Sequence, residues 1–276
     1  MSPYHPKKLL FFAIWLIPNF LENRRVLIIG GSSGLGFAVA SAALANGSRV
    51  HITSMTASKL SSKISTLQSL YPGAHVSGSV TDLSSTETLE GNLQSVLEAA
   101  TKETGEALDH IAFTAGDSAA LFPLAEATVE KALKPFTVRY LSSLLVGKLV
   151  AANPDKYLKS SASSSITFTS GIGVRRPSPG AVALVGVGGA VEVLSRSLAV
   201  DLAPIRVNVV VFGRVDTELL QKSVGGRPQV LEKLKAGTLT GQIGTPEGAA
   251  EAYLFCMRSA LATGQDFVID NGTMAK

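Results

Sequence analysis

The stretch that most constrains the fold is Gly30-Gly31-Ser32-Ser33-Gly34-Leu35-Gly36. It follows a Val/Ile run at 26–29 and opens an apolar helical stretch at 36–46. A glycine pattern alone is a weak signal, and the strand before it and the helix after it make it a phosphate cradle. Gly30 permits a tight turn, Gly34 lets the backbone approach a pyrophosphate, and Gly36 lets the helix pack close to the strand. The helix N-terminus then offers free N–H groups and a positive dipole end to the phosphates. Ser32 and Ser33 add hydroxyl donors beside Leu35. The spacing predicts dinucleotide binding at 30–36.

Around this loop, short apolar runs alternate with longer helical ones. Strands are predicted at 26–30, 49–53, 75–79, 110–114, 165–170, 206–212 and 265–269. Helices are predicted at 36–46, 58–71, 85–102, 128–153, 181–202 and 246–258. Several of the strands are rich in Val and Ile with few polar positions, as in parallel strands covered on both faces. The pattern predicts a single Rossmann-type, doubly wound α/β domain with a mainly parallel seven-stranded sheet flanked by helices. The chain has 276 residues, 46% of them hydrophobic, which suffices for one large core. We divide it into an extension at 1–23 and a dinucleotide-binding domain at 24–276.

Charge excludes one class of partner. The net charge is +4, and the basic residues are scattered with no aromatic interleaving, so no nucleic-acid footprint exists. Cys256 is the single cysteine, which rules out an intrachain disulfide and a zinc site of Cys spacing. We read it as a core residue in a reducing, cytoplasmic compartment. The four histidines have no ligand spacing, so no metal is expected. The apolar run 9–17 is shorter than the roughly 20 residues of a spanning helix. Three readings of it stand: a peripheral membrane anchor, a helix packed on the domain, or an unstructured extension.

The cofactor choice follows from one position. Folds of this kind that bind NAD place an acid at the end of the second strand, on the ribose 2′-hydroxyl. No Asp or Glu occurs between Glu22 and Asp82, and Ser54 holds the expected place. Arg49, Lys59 and Lys63 lie nearby in sequence. This favours NADP(H), with Ser54 and Lys59 toward the 2′-phosphate.

From Arg24 to Met274 the chain resembles the short-chain dehydrogenase/reductase superfamily. The resemblance rests on the glycine loop, on Asp82-Leu83, on Thr114-Ala115-Gly116, on the run from Ser197 to Asn208, on Phe212-Gly213, and on Ile269-Asp270-Asn271-Gly272. It implies that Asp82 and Leu83 contact adenine, that Ala115 and Gly116 border the cofactor, and that Val215 and Thr217 contact nicotinamide and phosphates. It also implies a homo-oligomer.

The family's chemistry rests on a Tyr-x-x-x-Lys pair with a Ser and an Asn. Aligned on Ala190-Val191-Glu192, the tyrosine position holds Leu184 and the lysine position Gly188. The Asn position holds Arg139. Ser170 is either the serine displaced by one position or its neighbour, with Gly171 in the catalytic slot. Tyr4 and Lys8 have the pair's spacing but precede the first strand, and Tyr140 is the best remaining phenol. The run Thr169-Ser170-Gly171, followed by Arg176-Pro177-x-Pro179-Gly180, resembles a divergent branch that lacks the pair. That branch includes fungal secondary-metabolism proteins, some similar to reductases that also guide a cycloaddition.

Three function classes follow. The first is an NADP(H)-dependent oxidoreductase with a non-standard site acting on a hydrophobic small molecule. There, Arg139 serves as a fixed cation toward a cofactor phosphate or a substrate oxyanion, and Ser170 serves as a polar contact. The second is a redox-neutral cyclase that keeps the pocket as scaffold. The third is a catalytically silent cofactor-binding protein. The segment 214–243, with Leu219-Leu220 and Val230-Leu231, is expected to close over the substrate as an apolar lid.

Overall fold

The computed structural model describes residues 19–116 and 121–276. The apolar run at 9–17 and the Tyr4/Lys8 spacing therefore lie outside the described residues.

Seven parallel strands form one sheet in the order β3-β2-β1-β4-β5-β6-β7. They are β1 (Arg25–Ile29), β2 (Arg49–Ser54), β3 (Val76–Val80), β4 (His110–Phe113), β5 (Ser165–Gly171), β6 (Arg206–Phe212) and β7 (Asp266–Ile269). The order reverses between β1 and β4, and a ligand crevice belongs at the carboxyl ends of the strands on either side of that point. The expected parallel character is found in every pairing.

The period of two along each strand divides the core. Leu27 and Ile29 of β1 pack on α3 (Leu89–Thr104), α5 (Ser142–Ala152) and α6 (Val182–Asp201). Val26 and Ile28 face the other way, onto α1 (Gly34–Ala45), α2 (Ala57–Leu70) and α9 (Pro246–Arg258). Helix α6 is long and apolar enough to cross a bilayer, but Val187, Val191, Leu194 and Leu198 bury one face of it in the core. Packing begins before Arg24, because Leu21 is wholly buried in the second cluster and its carbonyl accepts from Ser48 Oγ at 2.8 Å. Cys256 is buried as expected, and burial pushes its thiol up to about 12.

Two departures from the sequence reading bear on the site. The single helix expected at 128–153 is three pieces: α4 (Val129–Phe136), a π-helical turn at Thr137–Leu141, and α5. Pro135 lies inside α4 and has no N–H to give the preceding turn. The wider turn follows at once, and Arg139 sits on it, in keeping with the tendency of such turns to mark functional positions. The segment after β6 also carries two short helices, α7 (Glu218–Val224) and α8 (Pro228–Ala236).

Candidate active site

The glycine loop takes the form its residues require. Gly30 has φ +93°, and a Cβ there would lie 2.6 Å from the backbone N of Ala115. Its N–H donates to Thr53 Oγ1 at 2.9 Å, which ties the turn to β2. A Cβ on Gly36 would run into the Gly30 carbonyl and Thr114 Oγ1, so only glycine lets α1 sit this close to β1 and β4. Ser33 stands at the N-cap of α1 without a side-chain capping bond, and no acid occupies the first turn. The N–H groups of that turn are therefore left for a ligand.

A cleft of about 500 Å³ opens over this loop. Ser32, Ser33, Gly34 and Leu35 form one wall, and Ser54, Lys59 and Leu83 form the far end. Ala115, Gly116, Arg139 and Thr217 border the near end. The structure thus brings together most of the residues expected at the cofactor.

Several residues weighed from the sequence lie outside the lining of the clefts. Asp82 does not line the cleft: it accepts from the Ser84 N–H at 2.8 Å and the Ser84 hydroxyl at 2.7 Å, which shape the turn after β3. Those bonds, the hydroxyl's first, hold its carboxyl below the usual range. Val215 pairs with Gly244 instead of lining either cleft. Lys63 lies 4.7 Å over the Phe37 ring, and Arg49 stands at the opposite, N-terminal end of β2, so of the three nearby bases only Lys59 reaches the cleft. Tyr140 stacks on Phe136 at 4.6 Å and lines neither cleft, so it is no substitute phenol.

A second pocket, of about 450 Å³, adjoins the first. Arg139 and Thr169 line both. The floor of the second pocket is apolar, with Leu184, Val185 and Val191 from α6 beside Ile172 and Phe212. Leu184 and Gly188 both face it, as the alignment of the helix requires, and no tyrosine lines it among the described residues. Behind the lining residue Thr169 lies the phenol of Tyr253, which is wholly buried. Thr169 Oγ1 donates to the Phe113 carbonyl at 2.6 Å, so the Tyr253 hydroxyl is the donor in their contact at 2.5 Å. Burial pushes that phenol well above its ordinary range, so it is unsuited to exchange protons. The guanidinium of Arg139 lies against Gly116, where any side chain would collide with it.

Ser170 proves to be only partly a pocket residue. It lines the pocket, but its hydroxyl donates to Glu192 Oε1 at 2.8 Å and approaches the Gly188 carbonyl at 3.3 Å. Glu192 Oε2 pairs with Arg175 at 3.1 Å, and Arg175 also meets Asp266 at 3.0 Å. Burial pushes the Glu192 carboxyl above its ordinary range, against the pull of Ser170 and Arg175. Sequence reasoning missed Glu192 as a site residue. The signal was present: Leu184, Gly188 and Glu192 recur every fourth residue and so share one helix face, and Glu192 is the one acid within an otherwise apolar stretch.

Comparison with known proteins agrees with this geometry. The model of the SDR-like Rossmann domain family matches residues 17–275. The short-chain dehydrogenase/reductase malC of Malbranchea aurantiaca is 37% identical over 250 residues, 89% of this chain and 92% of that protein. Its solved structure, described as a reductase/Diels-Alderase, superposes with a TM-score of 0.88 at 35% identity, covering 94% of this chain and 99% of that one. The short-chain dehydrogenase/reductase ucsE of an Acremonium species is 38% identical over 261 residues, 92% of this chain and 96% of that protein. A glycine cradle at the switch point of the sheet and an apolar pocket beside it thus sit in a chain that belongs to the short-chain dehydrogenase/reductase family of Rossmann domains.

Proposed function

We propose that the protein is an NADP(H)-dependent oxidoreductase of secondary metabolism acting on a hydrophobic small molecule. The observation that carries this reading is the junction of the two clefts at Arg139 and Thr169. A dinucleotide laid along the glycine loop would end where the apolar pocket begins. The residues fit such a cofactor. Gly30 and Gly36 leave no room for a side chain, and the buried hydroxyls of Ser54 and Thr81, both at the adenosine end, have no partner among the described residues. No carboxylate lines that end, and Lys59 does, which supports NADP(H) over NAD(H).

When bound, the nicotinamide supplies or accepts hydride. The chain's own residues orient and exclude water. Leu184, Val185 and Val191 desolvate the reacting carbon, and Arg139 places a fixed positive charge at the junction. With Leu184 and Gly188 in the pocket, no tyrosine is placed to deliver a proton to a carbonyl oxygen. A substrate that is already cationic, such as an iminium, avoids that need.

A second reading has its own support. The malC structure is described as that of a reductase and Diels-Alderase, and a cycloaddition needs no proton donor and consumes no cofactor. The two are separated by following NADPH absorbance and product together. Stoichiometric NADPH loss with a preformed cyclic iminium supports the reductase. Product formed with no NADPH loss supports the redox-neutral reading, and NADPH binding with no product supports a silent protein.

A further inference from the structure

The apolar pocket has an uneven charge. Arg139, Arg176, Arg214 and Lys233 all line it, and among the described lining residues there is no carboxylate. The four cations come from four different parts of the fold: the π-helical turn, the turn after β5, the segment after β6, and α8. They are therefore not the solvated face of one helix.

Among the described residues, no acid pairs with Arg176, Arg214 or Lys233. Glu192 lies behind Ser170 and pairs with Arg175, and Asp266 is held by Arg175 and Arg196. Arg176 is anchored by donating to the backbone carbonyl of Thr273, a contact that fixes the guanidinium without neutralising it. An arginine retains further N–H donors after one such bond.

Taking the pocket to be the substrate site, as proposed above, we infer that it selects an apolar molecule carrying, away from its reacting carbon, an anionic oxygen group, such as a carboxylate, enolate or phenolate, so that even an iminium substrate would enter without net positive charge. The aliphatic floor at Leu184 and Val191 takes the carbon skeleton. The cations at the mouth take the anion, where the low-dielectric wall focuses their field. Arginine matches such a group with paired donors.

The test uses two dyes that share one skeleton: 8-anilinonaphthalene-1-sulfonate, which is anionic, and N-phenyl-1-naphthylamine, which lacks the sulfonate. Each is titrated by fluorescence into the full chain and into the triple variant Arg176→Gln, Arg214→Gln, Lys233→Gln. All three side chains are exposed, so the fold should survive their loss. The wild type should bind the anionic dye at least about tenfold more tightly, a preference that weakens with salt. The triple variant should lose the preference while holding the neutral dye within about twofold, since the apolar floor is unchanged. Equal affinity of the two dyes for the wild type, or a preference that survives the triple substitution, would overturn the inference. NADPH affinity, read separately from its own fluorescence, tests the cofactor assignment, so failure of the one is told apart from failure of the other.

Discussion

Replacing Gly34 by alanine should separate cofactor binding from folding. Gly34 has φ +49°, and a Cβ there would meet Thr217 Cγ2 at 3.2 Å and Thr217 Cβ at 3.3 Å. These contacts are tight but can relax by small shifts of one exposed segment. The left-handed backbone costs a non-glycine residue about 1–2 kcal/mol. Gly73 supplies the control, because it has φ +83° and nothing within 4 Å of the same added atom. Both variants should therefore lose about 1–2 kcal/mol. At roughly 2–4 °C per kcal/mol for a chain near this size, Tm should fall by about 2–8 °C in each. Only Gly34→Ala places a methyl group where the pyrophosphate of the proposed cofactor would approach the turn. Losing one charge-assisted hydrogen bond there costs about 1.5–3 kcal/mol. That is roughly 10–100-fold in Kd. The assay is calorimetric titration with NADPH on variants matched by thermal unfolding. Unchanged affinity in a folded Gly34→Ala protein, or equal loss in Gly73→Ala, would refute the placement of the cofactor.

Three other outcomes follow from the same geometry. Glu218 Oε2 lies 3.5 Å from the position of a Cβ on Gly34, at the N-terminus of α1, so Glu218→Gln should tighten NADPH binding by a few-fold, about 0.5–1 kcal/mol, by removing a like charge from the phosphate site; calorimetry reads this, and weaker binding would contradict it. Burial raises the Glu192 carboxyl, so the folded state holds its proton more tightly than the unfolded one. Its contribution to stability is then fully present below the ordinary carboxylate pKa and falls as pH rises toward the raised folded value, and Glu192→Gln should flatten that slope in denaturant titrations across pH. Because no tyrosine lines the pocket, simple ketones should turn over about 10²–10⁴-fold more slowly than a preformed iminium, and Tyr140→Phe should leave both rates unchanged.

The parts of this fold that could be read from sequence are those with local causes. The Val/Ile runs of β1 and β6 give the sheet, and the glycines that no Cβ can replace give the cradle. Ser54 was legible because a missing acid is visible wherever the second strand ends. What escaped depends on contacts between distant residues or on weak local signals. Ser170 and Glu192 are 22 positions apart and meet only because β5 packs on α6. Lys63 lies near Lys59 in sequence, but its side chain stands over the Phe37 ring, a contact set by how α2 packs on α1. Asp82 also shapes its own turn, by accepting from the Ser84 N–H and hydroxyl. The break near Arg139 was marked by Pro135, but the wide turn that follows depends on hydrogen bonds one residue longer than usual, which no side-chain pattern announces. Helices α7 and α8 are short and separated by Gly225 and Gly226, too brief for an apolar period to register.

The most direct test of the account is the comparison of NADPH and NADH affinities in the wild type and in Ser54→Asp. Ser54 is buried where β2 meets the cleft, its hydroxyl without a partner among the described residues, and Lys59 lines the same cleft. NADPH should bind the wild type more tightly than NADH. Ser54→Asp should reverse the order, by repelling the 2′-phosphate and accepting from the ribose 2′-hydroxyl. Equal affinities in the wild type, or a preference for NADH, would contradict the central claim that this cleft is built for NADP(H).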